Sequence, residues 1–261
     1  MEIKEWRNST QLTRFHELLK PTNYLQITSN FGWLRLLILF ISVLSLSGFL
    51  LATMITCTDN QQGENYRIIY IHVPSAWMAM LLYLLLAINS IIFLLYRHPM
   101  STFIIDSLSK TGIIYTGITL FTGSLWAFPM WGTFWVWDAR LTSVLILFFL
   151  YLVHKIILIS SQHTQMNIEK RYKIASIVSI IGFINLPIIK YSVDWWSTLH
   201  QGSSITQYQT QMHLTVLTPL LITFSLFLLI TVVMTLYDMR QKIIRNTIRS
   251  NRLRDPSINH I

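Results

Sequence analysis

Between Gly123 and Ser143 the chain reads GSLWAFPMWGTFWVWDARLTS, with Trp126, Trp131, Trp135 and Trp137 inside twelve consecutive positions. A second stretch, KYSVDWWSTLHQGSS, carries Trp195 and Trp196 shortly before His200, and a third, NYRIIYIHVPSAW, carries His72. Rigid indole rings supply a large contact area at little entropic cost, so this density suits a large, flat, apolar ligand. Imidazole offers a nitrogen lone pair to a metal, or moves a proton near neutral pH. The two chemistries combine only if the three stretches meet, and the elements between them decide whether they can.

Over 261 residues the chain is 52% hydrophobic and only 12% charged, too apolar for a soluble domain. Six apolar stretches stand out near residues 33–55, 73–95, 111–128, 141–160, 174–189 and 214–236. Most approach the roughly 20 residues that cross a hydrocarbon core of about 30 Å, and the short fifth is expected to borrow from its flanks. No period-two alternation suggests a barrel, so helices must satisfy the backbone in lipid. The predicted fold is all-α: a polytopic membrane protein of six transmembrane helices. An inner-side tail (1–32) precedes the membrane domain (33–236), and a basic inner-side tail (237–261) follows it. The N-terminal tail carries Lys4, Arg7, Arg14 and Lys20 without a long apolar core or a small-residue cleavage site. The first helix is therefore expected to be its own insertion signal. Leu12, Phe15, Leu18 and Leu19 could form one face of a helix lying on membrane lipid, or belong to a solvated tail.

The formal charge is +9, but its distribution speaks for topology rather than nucleic acid. With six spans both termini share a side, and that side holds 17 of the 20 Lys and Arg residues. The other side holds Arg67, Arg140 and Lys190. By the positive-inside rule the termini face the cytoplasm, or the matrix of a mitochondrion. The single cysteine, Cys57, cannot form an internal disulfide and is read as an interfacial thiol, and no C-x-x-C-H motif of a c-type cytochrome is present.

This orientation places the three unusual stretches on the outer face. Six of the nine tryptophans lie in or beside the third and fifth loops. An aromatic belt would populate both interfaces, whereas this clustering is one-sided. His72 precedes Val73 and Pro74, where a proline at the first helical position is expected to start the second span. His72 and His200 thus share a side and a depth. A tryptophan platform flanked by two imidazoles is what a haem needs, each histidine taking one axial position on the iron. Arg67, Arg140 and Lys190 could pair with the propionates, or simply snorkel toward headgroups. Asp138 is expected to cap the fourth span, with Asp194 in a similar local role. His213, at the outer start of the sixth span, is the third candidate for an axial position. His16, His98, His163 and His260 lie on the inner side or in tails, and His154 lies toward the inner end of the fourth span. No Ser-His-Asp arrangement, Walker motif or paired carboxylates indicates an ATPase or hydrolase.

These residues carry a resemblance. WGTFWVWDARLTS is similar to the tryptophan-rich WWD signature of haem-handling membrane proteins. The flanking blocks QQGENYRIIYIHVPSAW and NLPIIKYSVDWWSTLHQGS resemble one family in particular, the C component of the system I cytochrome c maturation machinery, or haem exporter protein C. The likeness runs from about residue 61 to 202 and is looser in the two tails. It implies haem b held on the outer-face WWD segment, with His72 and His200 as axial ligands. Trp126, Trp131, Trp135, Trp137, Trp195, Trp196, Asp138, Arg140 and Arg67 would surround it. It implies transfer to a membrane-anchored haem chaperone, the E component, which attaches the haem covalently through its own histidine. ABC transporter subunits (the A and B components) and a small D subunit would then help release the loaded chaperone. The chain would assist that ligation in a haem lyase-like role. It would sit in a bacterial plasma membrane or the mitochondrial inner membrane, its haem site facing the periplasm or the intermembrane space. A composition of 36 Ile against 7 Ala is compatible with a mitochondrially encoded protein or a low-GC bacterium.

Two other classes compete. An ABC-type permease exporting haem or another small molecule would want polar residues lining a path through its spans. A membrane redox enzyme would hold a permanent, non-exchangeable haem.

Overall fold

The computed structural model describes residues 24–25, 32–55, 60–159, 168–200, 202 and 212–254. Cys57, the tail residues Leu12, Phe15, Leu18 and Leu19, and His16, His163 and His260 lie outside the described residues. Within them the architecture is all-helical. Helix α1 (Gly32–Ile55) is followed by a 3-10 turn (Glu64–Ile68) that leads directly into α2 (Ile69–Tyr96). Then come α3 (Pro99–Trp131), α4 (Ala139–Ile159), α5 (Ile168–Gly182), α6 (Asn185–Trp195) and α7 (Leu214–Arg254).

Five stretches are long and apolar enough to cross a membrane: Glu64–Tyr96, Pro99–Trp131, Ala139–Ile159, Ile168–Trp195 and Leu214–Ile248. They contain the second to sixth predicted spans. Helix α1 coincides with the first, although the apolar helix among its described side chains, Leu36–Gly48, is shorter than a span.

Two boundaries depart from the hydropathy reading, each for a physical reason, and a third is as expected. Helix α3 starts at Pro99, well ahead of its apolar run. Pro99 is already shaped for a first helical position, and His98 accepts the Met100 N–H on Nδ1 at 3.2 Å. The polar first turns of α3 face protein, with Ser101, Ser107 and Ser109 buried. The fifth span does take length from its flanks: the chain breaks at Phe183 and Ile184 between α5 and α6, and the pair together covers 28 residues. Pro74, finally, does not begin the second span. The 3-10 turn nucleates α2 at Ile69, and Pro74 lies about one turn inside it, where a missing N–H forfeits a single hydrogen bond. His72 therefore stands on a helix rather than in a loop.

Helix α2 packs against α3, α5 and α7; α4 packs against α3, α5 and α6; α1 lies on α7. Met78, Leu82, Tyr83 and Leu86 of α2 meet Ile105 of α3 and Leu147 and Tyr151 of α4 in the main core. Gly112 makes room there, because a Cβ at that position would overlap the Tyr151 ring, whose hydroxyl donates to the Ala79 carbonyl at 2.8 Å. Thr111, Thr116 and Thr119 donate to carbonyls of their own helix, so these hydroxyls are satisfied locally.

The two ends of the bundle differ in kind. At one end Asp106 pairs with Lys155 and, at 2.5 Å, with Lys242, which also pairs with Asp238. Ser107 donates to Asp238 at 2.6 Å. This network ties the start of α3 to the end of α4 and to α7. At the other end the 3-10 turn, the start of α2, the end of α3, the start of α4 and the end of α6 converge. The predicted site residues lie there.

Candidate functional site

Helix α2 carries His72 in its first turn, turned toward α3. Its Nδ1 lies 3.0 Å from Thr122 Oγ1, and a Cβ on Gly123 would stand only 3.1 Å from its Cε1. His200 lies in the segment after α6 and is reached from α4. Arg140, in the first turn of α4, donates from Nε to Ser192 Oγ at 3.4 Å and from Nη2 to the Lys190 carbonyl at 3.3 Å. Its Nη1 lies 3.2 Å from His200 Nδ1. A guanidinium can only donate, so His200 Nδ1 accepts, and the neutral ring carries its proton on Nε2. Thr198 Oγ1 donates to the His200 carbonyl at 3.2 Å. His72 and His200, far apart in sequence, are thus placed at the same end of the bundle.

The six tryptophans pair two by two, edge to face. Trp126 meets Trp131 at 5.2 Å and 82°, Trp135 meets Trp137 at 5.8 Å and 80°, and Trp195 meets Trp196 at 5.8 Å and 68°. Such T-shaped pairs place the positive edge of one ring on the negative face of the next. Trp126 is fixed further by donating to Gln62 Oε1 at 3.0 Å. Trp126, Trp131 and Trp135 are part-buried, while Trp137, Trp195 and Trp196 are exposed, Trp137 by 80%. Half of the set thus buttresses and half presents rings outward. Tyr191 stacks on Trp195 and Phe128 on Phe134, the latter at 4.4 Å and 14°.

The segment joining α3 to α4 is shaped at both ends. Gly132 closes α3 in the left-handed conformation (φ 72), a position that favours glycine, and donates to the Phe128 carbonyl at 2.9 Å. Asp138 occupies the N-cap position of α4, its carbonyl accepting the Thr142 N–H at 2.9 Å, but Oδ1 accepts the N–H of the adjoining Ala139 at 2.7 Å rather than one deeper in the first turn. Its Oδ2 and the Trp135 Nε1 are buried without a hydrogen-bond partner among the described residues, so this segment holds unused donor and acceptor capacity.

The other candidates are engaged locally. Arg67 pairs with Glu64 at 3.1 Å within the 3-10 turn. The Lys190 ammonium lies 5.5 Å from the centre of the Tyr191 ring. Asp194 is exposed. His213 caps α7, its Nδ1 accepting the Thr215 N–H at 3.3 Å. His154 is fully buried in α4. Thr122, Gly123, Gln62 and Ser192 touch the site residues but do not stand out in the sequence. Gln62 is a polar loop residue, while Thr122, Gly123 and Ser192 are small or polar residues beside apolar runs, where they read as helix packing; only the position of the facing element gives each its task.

Comparison with known proteins gives the family. Residues 14–254 match the family described as "Heme exporter protein C". The chain is 45% identical over 227 residues to a "Putative cytochrome c biosynthesis ccmC-like mitochondrial protein" of Marchantia polymorpha, covering 87% of this chain and 94% of the relative. It is 40% identical over 230 residues to "Heme exporter protein C" of Escherichia coli (strain K12), covering 88% and 90%. To the Bradyrhizobium diazoefficiens protein of the same description it is 38% identical over 236 residues, covering 90% and 87%. With its whole helical core inside the match, the chain belongs to the haem exporter protein C family.

Proposed function

We propose that the chain receives haem b on the outer face of a membrane and passes it to the haem chaperone, the E component, for cytochrome c maturation. The observation that carries this reading is that His72 and His200 lie at the same end of the bundle as the exposed Trp137, Trp195 and Trp196. His72 and His200 take the two axial positions. Trp137, Trp195 and Trp196 bear on the porphyrin faces and edges, and Trp126, Trp131 and Trp135 brace them. Arg140 and Arg67 are the cations assigned to the two propionates, and Trp135 Nε1 and Asp138 Oδ2 offer further hydrogen bonds. Two imidazoles saturate the iron and limit reaction with oxygen while the haem is held. An open site leaves a porphyrin edge accessible to the chaperone.

Six spans with both termini on the cytoplasmic or matrix side complete the reading, α1 serving as the first. The site then faces the periplasm or the intermembrane space. The ABC transporter subunits (A and B) and the small D subunit are the expected partners in releasing the loaded chaperone. A permease is less well supported, because many hydroxyls within the helices are spent on their own backbones instead of lining a polar path.

The test is the visible spectrum of the purified protein beside His72→Ala, His200→Ala and His213→Ala, before and after adding apo-chaperone. Low-spin haem that is lost in the first two variants only and moves to the chaperone is the expected result. A colourless protein expressed with haem and its partners would overturn the reading.

A further inference from the structure

We propose that Thr122 is a positioning residue for haem: by accepting the Nδ1 proton of His72 it turns the Nε2 lone pair toward the iron. This rests on the reading of His72 as an axial ligand and names the group that makes that imidazole fit to be one. A neutral imidazole exists in two tautomers, and only the nitrogen without a proton can bind iron. A ring left to itself offers the wrong nitrogen part of the time.

The Thr122 hydroxyl has a single proton and two lone pairs. That proton has a carbonyl waiting one turn back, Ile118 O at 2.7 Å, with Thr119 O behind it at 3.3 Å. What the oxygen presents to His72, at 3.0 Å from Nδ1, is therefore a lone pair, and the ring must be the donor. Thr122 is 8% exposed, so water competes poorly for the same nitrogen. Gly123 completes the seat, since any side chain there would crowd Cε1. One turn of α3 thus supplies both the hydrogen-bond acceptor and the clearance for the ring. An imidazole that donates from Nδ1 is a stronger ligand through Nε2 and favours ferric over ferrous iron.

The experiment uses the full-length chain in detergent, loaded with ferric haem, and reads two quantities: the rate at which haem passes to excess apomyoglobin, and the reduction potential. Thr122→Val keeps the shape and removes the acceptor, so haem should leave about tenfold faster and the potential should rise. Thr122→Ser keeps the hydroxyl and should behave as wild type. Thr116→Val is the control for helix effects, because Thr116 is buried and bonded to its own helix at 2.7 Å but does not serve His72 in this way. If Thr122→Val fails to accumulate, Thr122→Cys, a weaker acceptor of similar size, should fall between serine and wild type on one side and loss of haem on the other. Wild-type release and potential in Thr122→Val, or an equal change in Thr116→Val, overturns the proposal. His72→Ala separates the two levels: if it keeps the wild-type spectrum, the axial assignment itself fails, whereas a lost spectrum beside an unaltered Thr122→Val rejects the positioning role alone.

Discussion

His72 and His200 reach the same end of the bundle by opposite means. His72 projects from a helix and rests on the flank of another, with the Thr122 hydroxyl and the absent side chain of Gly123 shaping its place. His200 lies in the segment after α6 and is held at arm's length by Arg140, which also grips Ser192 and the Lys190 carbonyl. The lone pair left on each ring follows from its neighbour. Thr122 leaves His72 with Nε2 available, whereas Arg140 occupies the lone pair of His200 at Nδ1. One imidazole is ready for a metal as it stands, and the other must first exchange its partner. A carrier of the kind proposed, which has to grip and then let go, has use for one fixed ligand and one conditional one.

The largest test of this contrast is to remove each ring in turn. His72→Ala should abolish haem retention by the purified protein. His200→Ala should leave a reduced, weakly held fraction with a high-spin spectrum, because the prepared ligand remains. The opposite order, measured as haem content and band positions, would break the comparison. Next comes Arg140→Leu, which cuts three contacts of the conditional side at once. Charged hydrogen bonds contribute about 1.5–3 kcal/mol each in favourable settings; loss of the proposed propionate partner and of the grip on Ser192 and Lys190 outweighs the lone pair freed on His200, so haem release should accelerate about tenfold. Arg140→Lys should restore little of it, since an ammonium cannot reproduce the fork. Gly123→Ala comes third: a Cβ at 3.1 Å from the ring obliges His72 to shift by a few tenths of an ångström, so retention should fall a few-fold with the fold intact. Smallest in its effect on haem is Lys242→Met, at the far end of the bundle. It strips the shared partner from Asp106 and Asp238, and should cost about 2 kcal/mol of stability, read as a lower Tm, while the haem spectrum stays unchanged.

Much of the helical frame is legible in hydropathy, because lipid demands apolar side chains over a whole span, and the runs near 73–95 and 214–236 lie within α2 and α7 while α4 covers the run near 141–160 as far as Ile159. What hydropathy misses is helix that faces protein. Ser101, Asp106, Ser107 and Lys110 make the start of α3 read as a loop, yet burial against α4 and α7 and pairing with Lys155, Lys242 and Asp238 hold it in the helix. Pro74 misleads for a related reason: the start of α2 is set upstream by the 3-10 turn, which leaves no hydrophobic mark. At the site, the density of tryptophan and the two histidines stand out by residue type alone. Their meeting does not, since nothing within either stretch records the distance to the other. Thr122 is hidden most deeply, as a hydroxyl in an apolar run has many ordinary uses and only the ring above it singles one out.

The break between α5 and α6 has a mechanical meaning. A span divided at Phe183 and Ile184 is two short levers instead of one long rod, and the lever that ends at Trp195 has 11 residues. At 1.5 Å per residue it is about 16 Å long, so a tilt of about 10° at its foot swings its tip by about 3 Å. Trp195, Trp196 and the His200 segment ride on that tip, while His72 stands on an uninterrupted helix. On the proposed role in haem transfer, such a tilt would open the His200 side of the site while the His72 side stays fixed.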